Sequence, residues 1–172
     1  MTDWKKIKPG AIPDNVFKLI GKDWMLITAG TEDDFNTMTA SWGGMGVLWN
    51  KSVATVYIRP VRYTDEFVRK NEIFTLSFFE GKYREALKIC GTVSGRDKDK
   101  MAISGLHGEP LPEGGMSFRE ARLAICCRKL YQDTLKPGHF LDSAIEKNYP
   151  EKDYHNFYIG QITGCWSPVR GN

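Results

Sequence analysis

Hydrophobic and polar side chains alternate along several short stretches of this chain. Residues 36–42 alternate short polar side chains with a thioether, a methyl group and an indole, and in 73–79 Phe74, Leu76 and Phe78 share one face. Alternation at period two is typical of a strand with one wet face and one dry face. The pattern also predicts strands at 24–28, 53–59, 120–131 and 157–166.

Helices are predicted only as short segments between the strands. The clearest starts at Thr64, where an N-cap residue precedes two acids, and it runs to residue 70. Three others are predicted from Asp14 to Gly21, over 82–90 before Gly91, and from Asp97 to Gly105. Strands with short inserted helices favour a mainly β, antiparallel barrel over a parallel sheet. We expect a single domain over 1–172, with the polar residues 1–12 as an N-terminal arm.

Composition excludes several classes of protein. The 172 residues are 41% hydrophobic and 26% charged, which is ordinary for a globular domain. A net charge of +3, from 24 basic and 21 acidic residues, is too small a surplus to indicate nucleic-acid or membrane binding. No apolar run approaches the ~20 residues of a membrane helix, and no secretory signal is visible. We therefore expect a cytoplasmic protein.

Cysteine and histidine residues do not form a recognisable metal-binding pattern. No CxxC motif and no pair of histidines at i, i+4 occurs, so we expect no metal site and reduced thiols. Cys126 and Cys127 adjoin in a predicted strand and should point to opposite faces. The residues concerned are Cys90, Cys126, Cys127, Cys165, His107, His139 and His155.

Candidate chemistry is concentrated between residues 35 and 64. Gly43, Gly44 and Gly46 follow the strand 36–42 and are expected to break it, leaving backbone groups free. The strand 53–59 then leads into a cluster with a helix N-terminus, a combination that suits a phosphate group: Arg59, Arg62, Tyr63 and Thr64. Because side chains alternate along a strand, Arg59 and Arg62 are not expected to reach the same phosphate group together. Arg62 and Thr64 are the favoured phosphate ligands. The alternative is a solvated basic rim.

Four sequence pieces occur in an order that carries a family resemblance. They are Asn36-x-Met38-Thr39-Ala40-Ser41-Trp42-Gly43, Ile58-Arg59-Pro60-x-Arg62-Tyr63-Thr64-x-Glu66-Phe67, Ser94-Gly95-Arg96-Asp97-x-Asp99-Lys100 and Asp153-Tyr154-His155-x-x-Tyr158-Ile159-Gly160. They resemble the flavin reductase-like proteins of the FMN-binding split-barrel group, in particular the flavoredoxin-like branch. The resemblance extends from about residue 24 to the end of the chain. It implies a split, Greek-key barrel, a homodimer and FMN as cofactor.

An isoalloxazine ring would need polar partners at its edge and an apolar partner at its face. The side chains of Asn36, Thr39 and Ser41 and the exposed backbone of 38–44, which includes Met38 and Ala40, are candidates for the edge. Trp42 or Trp166 is a candidate for the face. The alternative is an edge strand of the barrel with Trp42 in the core.

A third cluster of candidates follows residue 93. Ser94, Gly95 and Arg96 precede a predicted helix and are typical of an anion-binding nest. The resemblance implies that Lys100 and His139 lie near the flavin, where a cation could offset the charge that the ring gains on reduction. The alternative for Lys100 is a solvated position in the charge run 96–100. Gln161 stands where many relatives have glutamate, so no role of that carboxylate transfers.

Three functions agree with these features. The first is an NAD(P)H-dependent flavin reductase, an oxidoreductase that binds flavin and nicotinamide nucleotides. The second is a flavoredoxin-like electron-transfer protein that meets a redox protein partner and has no nicotinamide site. The third is a non-redox flavin-binding module. A glycine-bearing last strand and the Gly/Pro loop 105–115 could leave a flavin face open, which favours the reductase.

Overall fold

The computed structural model describes residues 2–169. Ten strands follow one another along the chain: β1 (Trp4–Ile7), β2 (Met25–Gly30), β3 (Phe35–Ala40), β4 (Gly43–Leu48), β5 (Lys51–Ile58), β6 (Ile73–Phe78), β7 (Gly108–Pro110), β8 (Met116–Phe118), β9 (Leu123–Thr134) and β10 (Asn156–Pro168). The α-helices are α1 (Val16–Lys18), α2 (Tyr63–Lys70), α3 (Arg84–Thr92) and α4 (Lys100–Ser104), and a π-helical turn, Leu19–Asp23, continues α1. Within 2–169, no helix has the length and apolarity needed to span a bilayer.

Eight strands form one antiparallel sheet whose two edges are close in sequence. The order is β3-β2-β6-β9-β10-β5-β4, with β1 also paired to β10. A flat sheet of seven strands would hold β3 and β4 roughly 29 Å apart. Only Ser41 and Trp42 separate the two strands, and three Cα steps span at most about 11 Å. The sheet must therefore curl until its edges approach each other, which confirms the predicted split antiparallel barrel with short inserted helices.

Inward-facing side chains of the large sheet fill the barrel interior. Buried residues from β2, β5, β6, β9 and β10 form this core, and its largest members include Tyr158, Phe74 and Phe78. A second apolar cluster lies outside the barrel, where α3 packs on Leu26 and Phe118. Cys127 belongs to the barrel core and Cys126 to a third, outer cluster, so the prediction of opposite faces is correct.

Gly160 sits where β10 passes closest to the barrel interior. An added Cβ would lie 2.7 Å from the Phe74 ring and 2.8 Å from the Cys127 Cβ. Replacement with alanine should lower the free energy of unfolding by about 2 kcal/mol, because the packed core has no room for the methyl group. Urea denaturation measures this difference. Gly44→Ala is the matched control, since nothing lies within 4 Å of its Cβ, and a similar loss there would contradict the packing argument.

Three predicted boundaries are wrong. The glycine-rich stretch after Trp42 does not break the sheet but forms β4, which pairs with β5 through a turn at Trp49 and Asn50 with φ of 52° and 56°. The expected arm 1–12 contains β1, paired with β10 along its whole length. In β1 the two end residues are half-buried and the two lysines between them are exposed. Burial therefore does not alternate along β1, and the period-two pattern could not predict this strand. The first helix passes through Gly21 and continues to Asp23.

The caps of two helices also differ from the prediction. The N-cap of α2 is Arg62 rather than Thr64, and that of α4 is Asp99 rather than Asp97. The Asp99 carboxylate accepts from the backbone N–H groups of Met101 and Ala102 at 2.9 and 3.2 Å. Two acids near one helix start satisfy the same sequence rule, and only the fold of the preceding loop decides between them.

Candidate functional site

A cleft lies beside the Ser41–Trp42 link, where the edges of the sheet approach each other. Its aromatic lobe, of about 240 Å³, is walled by Thr39, Ala40, Ser41, Trp42, Tyr57 and His155. Its basic lobe, of about 350 Å³, is walled by residues that include Tyr63, Thr64, Ser94 and Lys100. Met38, Arg59 and Arg62 line both lobes, so the two lobes adjoin. The cleft therefore brings together eleven of the residues predicted from the sequence.

The two arginines shared by the lobes differ in their partners. Arg59 forms a salt bridge with Asp153, and its Nη2 donates to the Asn148 carbonyl at 2.7 Å. The hydrogen bond that Arg59 Nη1 donates to the Asp153 carboxylate lowers the pKa of Asp153. Arg62 donates to the Gly91 carbonyl at 2.8 Å and has no salt bridge within residues 2–169. The charge of Arg62 is therefore uncompensated, whereas Asp153 neutralises that of Arg59.

Lys100 supplies a second uncompensated cation to the basic lobe. Its side chain is buried, and Nζ donates to the carbonyls of Thr37 and Cys90 at 2.6 and 3.3 Å. Burial lowers the pKa of Lys100 to about 8, helped by the nearby Arg62 and opposed by Cys90. No carboxylate in the described part of the chain forms a salt bridge with it. The surface-lysine alternative is therefore excluded, and the lobe attracts anions.

Behind the basic lobe, Asn36 ties β3 to α2. Its Nδ2 donates to the Thr64 hydroxyl at 2.7 Å, and both side chains are buried. Gly95 lies against this pair, since an added Cβ would come within 2.2 Å of the Asn36 Oδ1. These residues position the wall of the lobe rather than line it, apart from Thr64.

The segment after α3 closes the other side of the basic lobe. The Arg96 N–H donates to the Ser94 hydroxyl at 3.2 Å, and the N–H groups of Asp97 and Lys98 donate to the Ser94 carbonyl at 3.1 and 3.2 Å. These amides are used within the turn, so the segment does not form the predicted anion-binding nest. The Arg96 guanidinium lies 4.7 Å above the Tyr63 ring and forms a salt bridge with Glu66. Arg96 therefore supports Tyr63 from outside and is not a cleft-lining residue.

The aromatic lobe has a polar side chain deep in its wall. The rings of Trp42 and His155 lie 5.0 Å apart, and the His155 Nδ1 is 2.8 Å from the Tyr149 hydroxyl. Trp42 is 46% exposed, so it forms the open wall of the lobe and is not a core residue. Burial, assisted by Arg59, lowers the pKa of His155 to about 4, which leaves the ring neutral at pH 7.

Two predicted site residues lie away from the cleft. His139 is exposed at the end of the short helix Pro137–His139 and lines neither lobe. Trp166 packs in the outer cluster with Leu111 and Ala124. The register shift between Ile162 and Gly164 reverses strand parity, which turns Cys165 inward and Trp166 outward. A bulge of this kind cannot be seen in a period-two pattern.

Six residues that line the cleft are not among the predicted site residues: Tyr57, Val61, Thr92, Val93, Asp153 and His155. Tyr57 lies on a predicted strand, and Asp153 and His155 belong to the fourth piece of the family resemblance. The family resemblance therefore pointed to Asp153 and His155. Nothing in the local sequence indicated that the segment 135–155, between β9 and β10, contacts Arg59. The tertiary contacts of this segment reveal the approach: Asp153 forms a salt bridge with Arg59, and the Tyr149 ring lies under the Arg59 guanidinium.

Comparisons with known proteins agree with this architecture. A family model described as "Flavin reductase like domain" matches residues 18–171. No curated protein sequence matched the chain. Similar solved structures include a flavoredoxin from Methanosarcina acetivorans, with 24% identity, a TM-score of 0.66 and coverage of 95% of this chain and 75% of that chain. An FMN-binding domain of a flavin reductase-like enzyme from Shewanella baltica has 15% identity, a TM-score of 0.70 and coverage of 97% and 78%.

A third structure, an NADH:FAD oxidoreductase from Streptomyces globisporus, has 12% identity and a TM-score of 0.64. The match covers 83% of this chain and 73% of that chain. At these identities the structures establish a shared fold.

Proposed function

The chain belongs to the flavin reductase like domain family, and from that premise we propose that its cleft binds FMN non-covalently. The observation that carries the proposal is an aromatic lobe that adjoins a basic lobe with two uncompensated cations, Arg62 and Lys100. A flat ring with a phosphate-bearing tail has the same two-part chemistry. The FMN-binding neighbour from Shewanella baltica supports this assignment.

The basic lobe fits a phosphate group. Arg62 offers a guanidinium that can donate to phosphate oxygens in pairs, and Lys100 adds a point charge. Thr64 and Ser94 add hydroxyl groups, and α2 directs its N-terminus to the same lobe. A dianion there would compensate the charges of Arg62 and Lys100, which the described residues leave unpaired.

The aromatic lobe fits the flavin ring. β3 is an edge strand that pairs only with β2 among residues 2–169, so peptide groups from Met38 onwards remain available for the pyrimidine edge of the ring. Trp42 and Ala40 provide apolar contacts. Bound FMN supplies reversible electron transfer, and these residues bind it, orient it and limit the access of water.

We infer that the bound flavin accepts electrons from NAD(P)H and passes them on, as in a flavin reductase. The NADH:FAD oxidoreductase among the structural neighbours and the open wall at Trp42 support this function. The second candidate is an electron carrier reduced by a protein partner. It is favoured by the flavoredoxin neighbour, the one of the three with the highest identity.

Anaerobic mixing separates the two functions. The FMN-loaded protein is mixed with NADH and then with NADPH while the flavin absorbance is followed. Bleaching within seconds supports the reductase. Absorbance that stays constant with both nucleotides, but falls with a ferredoxin-like donor, contradicts the reductase and supports the carrier.

FMN affinity should depend on the charge of Lys100. A bound phosphate dianion favours protonated Lys100, so above pH 8 the complex holds more protons than the free protein and affinity falls as pH rises. If the dianion raises this pKa by one unit, the dissociation constant should increase about tenfold at high pH. Titrations from about pH 7 to 9.5 should show the increase in wild type and in the exposed control Lys98→Met. The same increase in Lys100→Met would contradict the assignment.

We also propose a homodimer. The hairpin of β4 and β5 exposes Val47, Leu48 and Trp49, and the outer edge of β4 is unpaired within residues 2–169. A second copy would cover these apolar side chains and this strand edge. Light scattering at micromolar concentration should give twice the 19.6 kDa of one chain, and Val47→Lys should shift the mass towards one chain. A wild-type mass of 19.6 kDa would contradict the dimer.

A further inference from the structure

His155 is a buried polar side chain with an unused ring nitrogen. It is 7% exposed and lines the aromatic lobe of the cleft. Nδ1 lies 2.8 Å from the Tyr149 hydroxyl, and Nε2 forms no hydrogen bond with residues 2–169. Within residues 2–169, the enclosed side-chain atoms without a hydrogen-bond partner are Glu113 Oε2 and Trp166 Nε1. The His155 Nε2 is not among them, so it opens onto the cleft, where a ligand in the aromatic lobe can reach it.

The environment of Tyr149 determines which atom donates. The tyrosine is 4% exposed, and its hydroxyl has no neighbour other than His155 within hydrogen-bond distance among the described residues. If Nδ1–H donated to the oxygen, the phenolic proton would be buried without an acceptor, at a cost of about 1–3 kcal/mol. If the phenol donates, its proton is satisfied and Nδ1 accepts. The single proton of a neutral His155 then resides on Nε2.

The phenol is itself held in place. Tyr149 contacts the rings of Phe140 and Tyr154 at centroid distances of 6.0 and 5.0 Å, and the Arg59 guanidinium lies 5.2 Å over its ring. Burial raises the pKa of Tyr149, so its proton is retained at neutral pH. The segment 135–155 between β9 and β10 thus holds the Tyr149 hydroxyl in a fixed position as a donor to His155.

We propose that Tyr149 is a positioning residue that keeps the His155 proton on Nε2, so that His155 donates to a ring carbonyl oxygen of a ligand in the aromatic lobe. An uncharged donor pairs with an uncharged acceptor without burying net charge. The carbonyls of a flavin and the carboxamide of a nicotinamide share this chemistry. The ligand half of the inference rests on the proposed function, whereas the role of Tyr149 does not.

The proton position can be measured in the protein as purified. Nitrogen-15 NMR of the histidine rings resolves three side chains, and His155→Gln assigns the one of interest. We expect a protonated Nε2 and an unprotonated Nδ1 at His155 in wild type. Tyr154→Phe is the matched control, because its hydroxyl contacts only Glu146, and it should leave this pattern unchanged. Tyr149→Phe should convert it to a mixture of both tautomers.

A proton on Nδ1 in wild type, or a Tyr149→Phe spectrum equal to that of wild type, would overturn the positioning role. FMN is then added, followed by NAD⁺, which cannot reduce the flavin. A change in the Nε2 resonance with FMN identifies a flavin carbonyl as the acceptor, and a change only with NAD⁺ identifies the carboxamide. A resonance that stays unchanged after both additions, while the flavin spectrum shows bound FMN, overturns the ligand assignment. FMN that remains free contradicts the proposed function, and the tautomer comparison still decides the role of Tyr149.

Discussion

Replacing Arg62 with alanine should weaken FMN binding by about 1.5–3 kcal/mol, or roughly 10- to 150-fold in the dissociation constant. Arg62 lines both lobes of the cleft and carries a charge without a carboxylate partner among residues 2–169. Its guanidinium is therefore available to phosphate oxygens, in contrast to that of Arg59. Titration followed by flavin absorbance or fluorescence measures the change.

Riboflavin separates the phosphate contact from the ring contacts. Wild type should bind riboflavin much more weakly than FMN, and Arg62→Ala should leave riboflavin affinity unchanged. Arg128→Ala, an exposed arginine whose guanidinium contacts Gln161, is the matched control and should bind both ligands like wild type. Equal affinities of wild type for FMN and riboflavin would contradict the assignment of Arg62 and Thr64 to the phosphate.

The second large effect is expected on stability, at Asp65 in the first turn of α2. This buried carboxylate accepts from the Tyr158 hydroxyl at 2.7 Å, the Asn156 Nδ2 at 3.0 Å and the Arg69 Nε at 2.7 Å. Asp65→Ala should lower the free energy of unfolding by about 3 kcal/mol, since each hydrogen bond to a charged group contributes about 1.5–3 kcal/mol and two of the donors remain buried without an acceptor.

Urea denaturation of wild type and Asp65→Ala tests this estimate, with an unchanged m-value as evidence that both unfold in the same way. Asp33→Ala is the control, because this carboxylate is exposed in the turn between β2 and β3 and forms no salt bridge within 2–169. A loss below about 1 kcal/mol for Asp65→Ala would show that the network does not join α2 to β10 energetically.

The barrel could be predicted from the sequence because its strands have one apolar face. Period-two patterns at 36–42 and 73–79 correspond to β3 and β6, and the four family pieces indicated where the ligand lobes would lie. Local chemistry was sufficient for Arg62, which follows a strand end and precedes a helix.

Long-range contacts account for the features that the sequence did not reveal. Thr64 was predicted as a helix cap, but the N-cap is Arg62, and the Thr64 hydroxyl accepts from Asn36, 28 residues away, which leaves its own proton free to donate to a ligand. Trp166 was one of two candidates for the flavin face, but a register shift in β10 turns it outward. His155 reaches the cleft because β10 pairs with β5: Asn156 lies opposite Ile58, which places His155 beside Arg59. No local sequence pattern encodes these contacts between residues that are far apart in the chain.

The most direct test of the account is whether the purified protein binds FMN. The protein is incubated with excess FMN, freed of unbound ligand by gel filtration and examined for flavin absorbance, and heating then releases the chromophore into the supernatant. We expect a yellow protein with up to one FMN per chain and a spectrum shifted from that of free FMN. A colourless protein after this treatment would contradict the proposed cofactor.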